Sequence, residues 1–116
     1  MRGAAVAALV FASAPAWATD YDAPLSPSAA AFKARFAERE VACQQQSAPQ
    51  LGLSLDKAAA FCACQADVIA RNSTPDELAI LTKSTFGTKD EEDANMASAL
   101  ALITRLLPER KRRCGY

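Results

Sequence analysis

The chain has 116 residues, with 13 Lys and Arg against 13 Asp and Glu, four Cys and no His. This length suits one small domain, and because aromatic residues make up only 7% while Ala is abundant, we expect a thin, helix-rich core. Without His, the chain cannot form a Ser/His/Asp or Cys/His catalytic unit or a His-ligated zinc site. The zero net charge argues against attraction of a whole domain to nucleic acid.

Residues 1–18 have the pattern of a secretory signal peptide. A positive start is followed by nine apolar residues over 4–12, and residues 16–18 (AWA) form a small-x-small cleavage site that predicts a mature start at Thr19. The apolar run is well short of the roughly 20 residues that a membrane-spanning helix needs. We therefore expect a periplasmic or secreted protein whose mature part, residues 19–116, has no transmembrane segment.

The mature sequence divides into a lead-in and a helical domain. Residues 19–27 contain two prolines and no helical period, which predicts a flexible lead-in. Residues 28–116 are predicted to form a small all-α domain with four helices and a C-terminal turn. Nothing in the mature sequence alternates with a period of two for more than a few residues.

Local signals place the four helices and the terminal turn. The first helix follows Ser26 or Ser28 and ends near Gln46, before Pro49, and the second runs from Ser54 to Arg71. The third begins at the capping-box sequence Thr74-Pro75-Asp76-Glu77 and ends by Gly87, and the fourth opens at residues 90–93. The fourth helix carries Met96, Leu100, Ile103 and Leu107 at steps of four, three and four, and Pro108 is expected to restart the chain as a short turn.

The four cysteines predict two disulfides, because a small exported domain needs covalent cross-links. Cys62 and Cys64 are two apart on a presumed helix, so their side chains diverge by about 200° and should not bond to each other. Two pairings remain open: Cys43 with Cys62 and Cys64 with Cys114, or Cys43 with Cys64 and Cys62 with Cys114. Both cross-link the second helix on one side to the first helix and on the other to the C-terminus.

An alternative interpretation gives Cys62-x-Cys64 a thiol–disulfide redox or soft-metal role. Redox thiolates usually lie at a helix N-terminus, where the dipole lowers their pKa, whereas these cysteines lie in mid-helix. A metal site needs thiolates that converge on one ion, and these diverge. No acidic pair or glycine-rich phosphate loop stands out elsewhere in the sequence, so we expect no catalysis, cofactor or bound metal.

The basic residues near the C-terminus have two interpretations. As solvated charges they complement the dipole of the last helix. As a functional site they could contact an anionic surface, such as membrane head groups or an acidic partner, with each basic residue adding about 1 kcal/mol near a charged bilayer. The residues concerned are Arg105, Arg110, Lys111, Arg112 and Arg113.

The order Cys43, Phe61-Cys62-Ala63-Cys64, Thr74-Pro75-Asp76-Glu77-Leu78 and Cys114 resembles a loose class of small, largely uncharacterised exported proteins of Gram-negative bacteria. Those helical proteins share a Cys, an aromatic-Cys-x-Cys, a helix that starts at Ser or Thr, and a final Cys. The resemblance spans most of the mature chain. It implies the fold and the exported location, and it implies no activity.

The sequence thus predicts an exported protein that acts by binding a protein partner. Inhibitor or immunity proteins, chaperone-like proteins and accessory subunits of envelope complexes all fit this description. The mature chain has six aromatic residues, too few for a platform that stacks single-stranded nucleic acid. Neither the partner nor the oligomeric state follows from the sequence.

Overall fold

The computed structural model describes residues 19–115, which form helices joined by short turns and contain no strand. The predicted all-α domain is therefore confirmed, whereas the predicted signal peptide, residues 1–18, lies outside the described residues. The helices are α1 (Pro27–Phe36), α2 (Glu40–Leu51), α3 (Leu55–Arg71), α4 (Pro75–Phe86), α5 (Lys89–Arg105) and α6 (Leu107–Cys114), with a 3₁₀ turn over Ala37–Arg39 between α1 and α2.

Hydroxyl side chains fix four of the helix starts by accepting a hydrogen bond from a backbone N–H of the first turn, which has no intrahelical partner. These side chains are Ser26, Ser54, Thr74 and Thr88. The predicted capping box at Thr74 is present, with Glu77 accepting from the Thr74 N–H in return. A second capping box pairs Thr88 with Glu91, so α5 begins one residue before the acidic run that predicted its start.

The first predicted helix is wrong in its continuity and in its end. The 3₁₀ turn divides it into α1 and α2, and α2 continues past Gln46 to Leu51 with Pro49 inside its last turn. A proline so close to the end interrupts little of the helix beyond it. Gly52 ends the helix instead, because its φ of 65° is left-handed and its N–H donates to the Ala48 carbonyl.

The predicted restart at Pro108 is confirmed, and the restarted segment is an eight-residue helix rather than a turn. Pro108 has no N–H to continue the ladder of α5, so the chain re-forms helix from Leu107 onward. Leu106 between the two helices keeps right-handed dihedral angles, with φ −85° and ψ −3°. Helices α5 and α6 are consequently joined without a loop.

The core lies between α1, α3, α4 and α5, with α3 at the centre. Helix α3 packs against α1, α2 and α6, and α4 packs against α1 and α5. Small side chains are frequent in this core, as the composition predicts. Its buried members are Ala29, Phe32, Ile69, Ala70, Leu78, Leu81, Ala99, Leu102 and Leu106.

No helix within residues 19–115 is long and apolar enough to cross a membrane.

Candidate functional site

The two disulfides join Cys43 to Cys62 and Cys64 to Cys114, with Cα–Cα distances of 6.2 and 5.7 Å. The prediction of two disulfides is confirmed, and the first of the two open pairings is the one that the structure shows. One bond joins α3 to α2 and the other joins α3 to the last residue of α6. Because Cys62 and Cys64 point away from each other, each can reach a different neighbouring helix.

A soft-metal site at Cys62-x-Cys64 requires reduced sulfurs, and a redox role requires a disulfide that an attacking thiolate can reach; all cysteines of residues 19–115 are paired in the structure. Cys62 is buried, and the Ser47 hydroxyl lies 3.7 Å from the Cys43 sulfur and 3.8 Å from the Cys62 sulfur. No group of three potential metal-ligating side chains occurs in the described part of the chain. No contact favours the alternative, which stays a prediction.

Most of the basic C-terminal residues contact other groups of the domain. Arg105 binds Glu77 and the Asn72 carbonyl, and Arg110 binds the buried Gln65 side chain. Arg112 pairs with Glu109, and the Arg113 guanidinium lies 3.9 Å from the centre of the Tyr21 ring. Lys111 alone among the five has an exposed side chain with no such contact within residues 19–115. An anionic-surface site made of these five residues stays a prediction.

The lead-in contacts the domain at several points. The Tyr21 hydroxyl donates to Glu109 at 2.5 Å and accepts from the Asn72 amide at 3.0 Å, and Arg71 donates to the Ala23 carbonyl at 2.6 Å. Thr19, the predicted mature N-terminus, donates to the Asn72 side chain at 2.5 Å. The lead-in thus contacts the end of α3 and α6, and its flexibility stays a prediction.

An apolar cleft lies between α1, α4 and α5, with a volume of about 220 Å³. Ile69 of α3 closes its floor, and Met96 and Leu100 stand at its α5 edge. The rest of the wall comes from α1, from α4 and from two further residues of α5. Its apolar members are Phe32, Phe36, Leu81, Ala99 and Ile103. The cleft could take one or two apolar side chains, since a cavity of about 150 Å³ holds a benzene ring.

Two arginines lie at one end of this cleft. Arg39 donates to the carbonyl of Thr85, a residue that lines the cleft, at 3.0 Å. Arg35 and Arg39 both lie over the Phe86 ring, at 4.6 and 5.4 Å from its centre. Arg35 also pairs with Glu38. Through their contacts with Phe86 and Thr85, the two arginines join the end of α1 and the 3₁₀ turn to α4.

The outer face of α5 carries no charge over residues 94–104 and is open to solvent there. Residues 94–104 contain no charged side chain, although this segment lies at the surface. Leu100 is 59% exposed and Met96 is 41% exposed, whereas Ala99 and Leu102 of the same helix are buried. A helix without charges on its outer face is typical of a helix that another element covers.

Of the apolar stripe that the sequence indicates on the fourth helix, Ile103 packs against the core, whereas Met96 and Leu100 line the cleft edge and Leu107 is 40% exposed. The fully buried positions of this segment are instead Ala99, Leu102 and Leu106. Sequence reasoning missed this site because periodicity identifies an apolar face without showing what it contacts. The available signal was the absence of any charge over eleven consecutive residues.

A scan against protein-family models gave no match, and neither did searches of the curated proteins and of the solved structures.

Proposed function

We propose that the chain is exported to the periplasm or the cell exterior, is processed before Thr19, and acts there by binding a polypeptide rather than by catalysis. Two disulfides in a small helical domain support export, because disulfides persist in oxidising compartments. The order of cysteines, which resembles that of exported four-cysteine proteins of Gram-negative bacteria, supports the same location.

The observation that carries the binding proposal is the exposed, uncharged outer face of α5 beside the apolar cleft. We define the α5 face as Met96, Leu100, Ile103 and the cleft that they border. An amphipathic helix fits such a surface, since its apolar residues at spacings of three and four can enter the cleft while its body lies along α5. Inhibitors, chaperone-like proteins and envelope accessory subunits all use surfaces of this kind.

The rigid attachment of this face to the domain also supports binding. Ala99 and Leu102 anchor α5 in the core, where it packs chiefly against α4, and α3 in the same core is cross-linked to α2 and α6. A surface that is already ordered loses little conformational entropy when a partner docks.

Photo-crosslinking in exporting cells tests this proposal. A photoreactive residue in place of Leu100 should crosslink to a polypeptide, either another protein or a second copy of the chain. The mass of the crosslinked product should show that this chain begins at Thr19. The same residue in place of Leu55, which is 61% exposed at the start of α3, is the matched control and should give no such product. Equal crosslinking at both positions, or no polypeptide product at position 100, would contradict the proposal.

A further inference from the structure

The exposed stripe of α5 and α6 has a charge at each end and apolar residues between them. Its members are Glu92, Met96, Leu100, Ile103, Leu107 and Lys111, at steps of four, four, three, four and four. Such spacing places side chains on one face of a helix, because residues three or four apart are neighbours on the helix surface.

Four of these six side chains are exposed, whereas Glu92 and Ile103 are half-buried and Ile103 also packs against the core. Leu100 is the most exposed of the apolar members, and the inward positions of the same helices belong to other residues, among them Ala99 and Leu102. The Leu106 N–H donates to the Leu102 carbonyl and the Arg110 N–H donates to the Leu106 carbonyl, so the chain keeps its right-handed helical sense from α5 into α6, although Pro108 interrupts the hydrogen-bond ladder between them. We therefore treat the residues on both sides of Leu106 as one surface feature.

The two charged ends lack partners inside the domain. Glu92 and Lys111 form no ion pair within residues 19–115, although their neighbours do, as Lys89 pairs with Asp93 and Arg112 pairs with Glu109. Opposite charges at the two ends of an apolar stripe favour a partner stripe that runs in the opposite direction.

The spacing of the stripe is the same when it is read from either end. If a second copy lies antiparallel to the first, Glu92 meets Lys111 of that copy, Met96 meets Leu107, and Leu100 meets Ile103. Each contact then occurs twice, as two-fold symmetry requires. Ala97 and Ala101 beside the stripe are exposed and small, so the two helices can approach closely.

We propose that the chain forms a two-fold symmetric homodimer through antiparallel pairing of this stripe with the same stripe of a second copy. The inference rests on the proposed function and names its partner: the helix that covers the α5 face is α5 of another copy. The stripe covers residues 92–111, or about 28 Å at the helical rise per residue, which makes a smaller interface than a standard one. We therefore expect dissociation in the micromolar range.

Sedimentation equilibrium of the purified mature chain over a wide concentration series tests the dimer. The wild-type chain should pass from monomer to dimer in the micromolar range, and Leu100→Lys should remain monomeric throughout. Because Leu100 is 59% exposed, this variant keeps the fold, which circular dichroism checks. Leu55→Lys is the matched control at an exposed leucine outside the stripe and should dimerise like the wild type.

A charge exchange tests the antiparallel register. Glu92→Lys places a lysine opposite Lys111 at both ends of the dimer and should weaken association about tenfold. Glu92→Lys combined with Lys111→Glu should restore association. Asp90→Lys is the control, since it lies in the same first turn of α5 but outside the stripe. A monomer at every concentration, dimerisation of Leu100→Lys, or no recovery in the double variant would overturn the inference. A monomeric chain that crosslinks through position 100 to a different protein would overturn the dimer alone and leave the proposed function standing.

Discussion

Glu109 is a charged side chain in an almost fully buried position, with 6% of its surface exposed. Arg112 binds both carboxylate oxygens, at 2.7 and 2.6 Å, and the Tyr21 hydroxyl donates to one of them. The bond from Arg112, followed by the one from Tyr21, lowers the pKa of Glu109 despite the opposing effect of burial. Burial, followed by the bond to Glu109, raises the pKa of Tyr21. This carboxylate joins the lead-in to α6.

Replacement of Glu109 by Gln should lower the free energy of unfolding at pH 7 by about 1–3 kcal/mol, because charge-assisted bonds are lost at a buried site. Urea denaturation followed by circular dichroism measures the change. Glu38→Gln is the matched control, because the Arg35–Glu38 pair is exposed, and it should change stability by less than about 1 kcal/mol. An equal effect of both substitutions would contradict the role given to Glu109.

The same substitution has a defined pH dependence. Because the folded-state pKa of Glu109 is lowered, its stabilising effect is complete above the ordinary Glu pKa of about 4.3. The effect disappears as the pH falls through the lowered value. The stability difference between wild type and Glu109→Gln should therefore be constant from pH 7 to about pH 5 and shrink toward zero in more acidic solution.

At the scale of elements, the two disulfides close loops of different length. The Cys43–Cys62 bond spans 19 residues of sequence and the Cys64–Cys114 bond spans 50. A longer loop restricts the unfolded chain more, so its closure stabilises the fold more. The longer loop also holds α6, the shortest helix, against α3.

Removal of the disulfide that closes the longer loop should therefore lower the free energy of unfolding more than removal of the other disulfide. Cys64→Ala with Cys114→Ala should lose about 4 kcal/mol of unfolding free energy, and Cys43→Ala with Cys62→Ala about 3 kcal/mol. Chemical denaturation of the two double variants under matched conditions measures both. A smaller loss for the 50-residue loop would show that native contacts rather than chain entropy dominate.

The elements show which helix boundaries a sequence can determine. Thr74 and Glu77 identify the start of α4 because a capping box is local, and its hydrogen bonds depend on four consecutive residues. The end of α2 depends on competition between Pro49 and Gly52, and the left-handed glycine determines it. The cysteine pairing depends on which helix packs on each side of α3, a tertiary fact that no spacing contains.

At the scale of the whole molecule, one face of the domain remains uncovered. The sequence shows that Met96, Leu100 and Leu107 share a stripe, but burial of the stripe depends on the competing inward face formed by Ala99, Leu102 and Leu106. Helix α5 packs against α4 through this inward face, to which Ala99 contributes a small side chain beside two leucines. Met96 and Leu100 remain outside, where they form part of the candidate site.

Met96 offers the most direct measurement of whether this face is covered, because it is the only methionine of residues 19–116. Peroxide converts an accessible thioether to the sulfoxide, and intact mass follows its formation. If the α5 face binds a polypeptide, Met96 should oxidise several-fold more slowly in the compartment to which the protein is exported than in a dilute solution of the folded chain. If the partner is a second copy, the oxidation should be equally slow in concentrated purified protein. The same oxidation rate in all three settings would contradict the account, because it would show that the face remains open where the protein works.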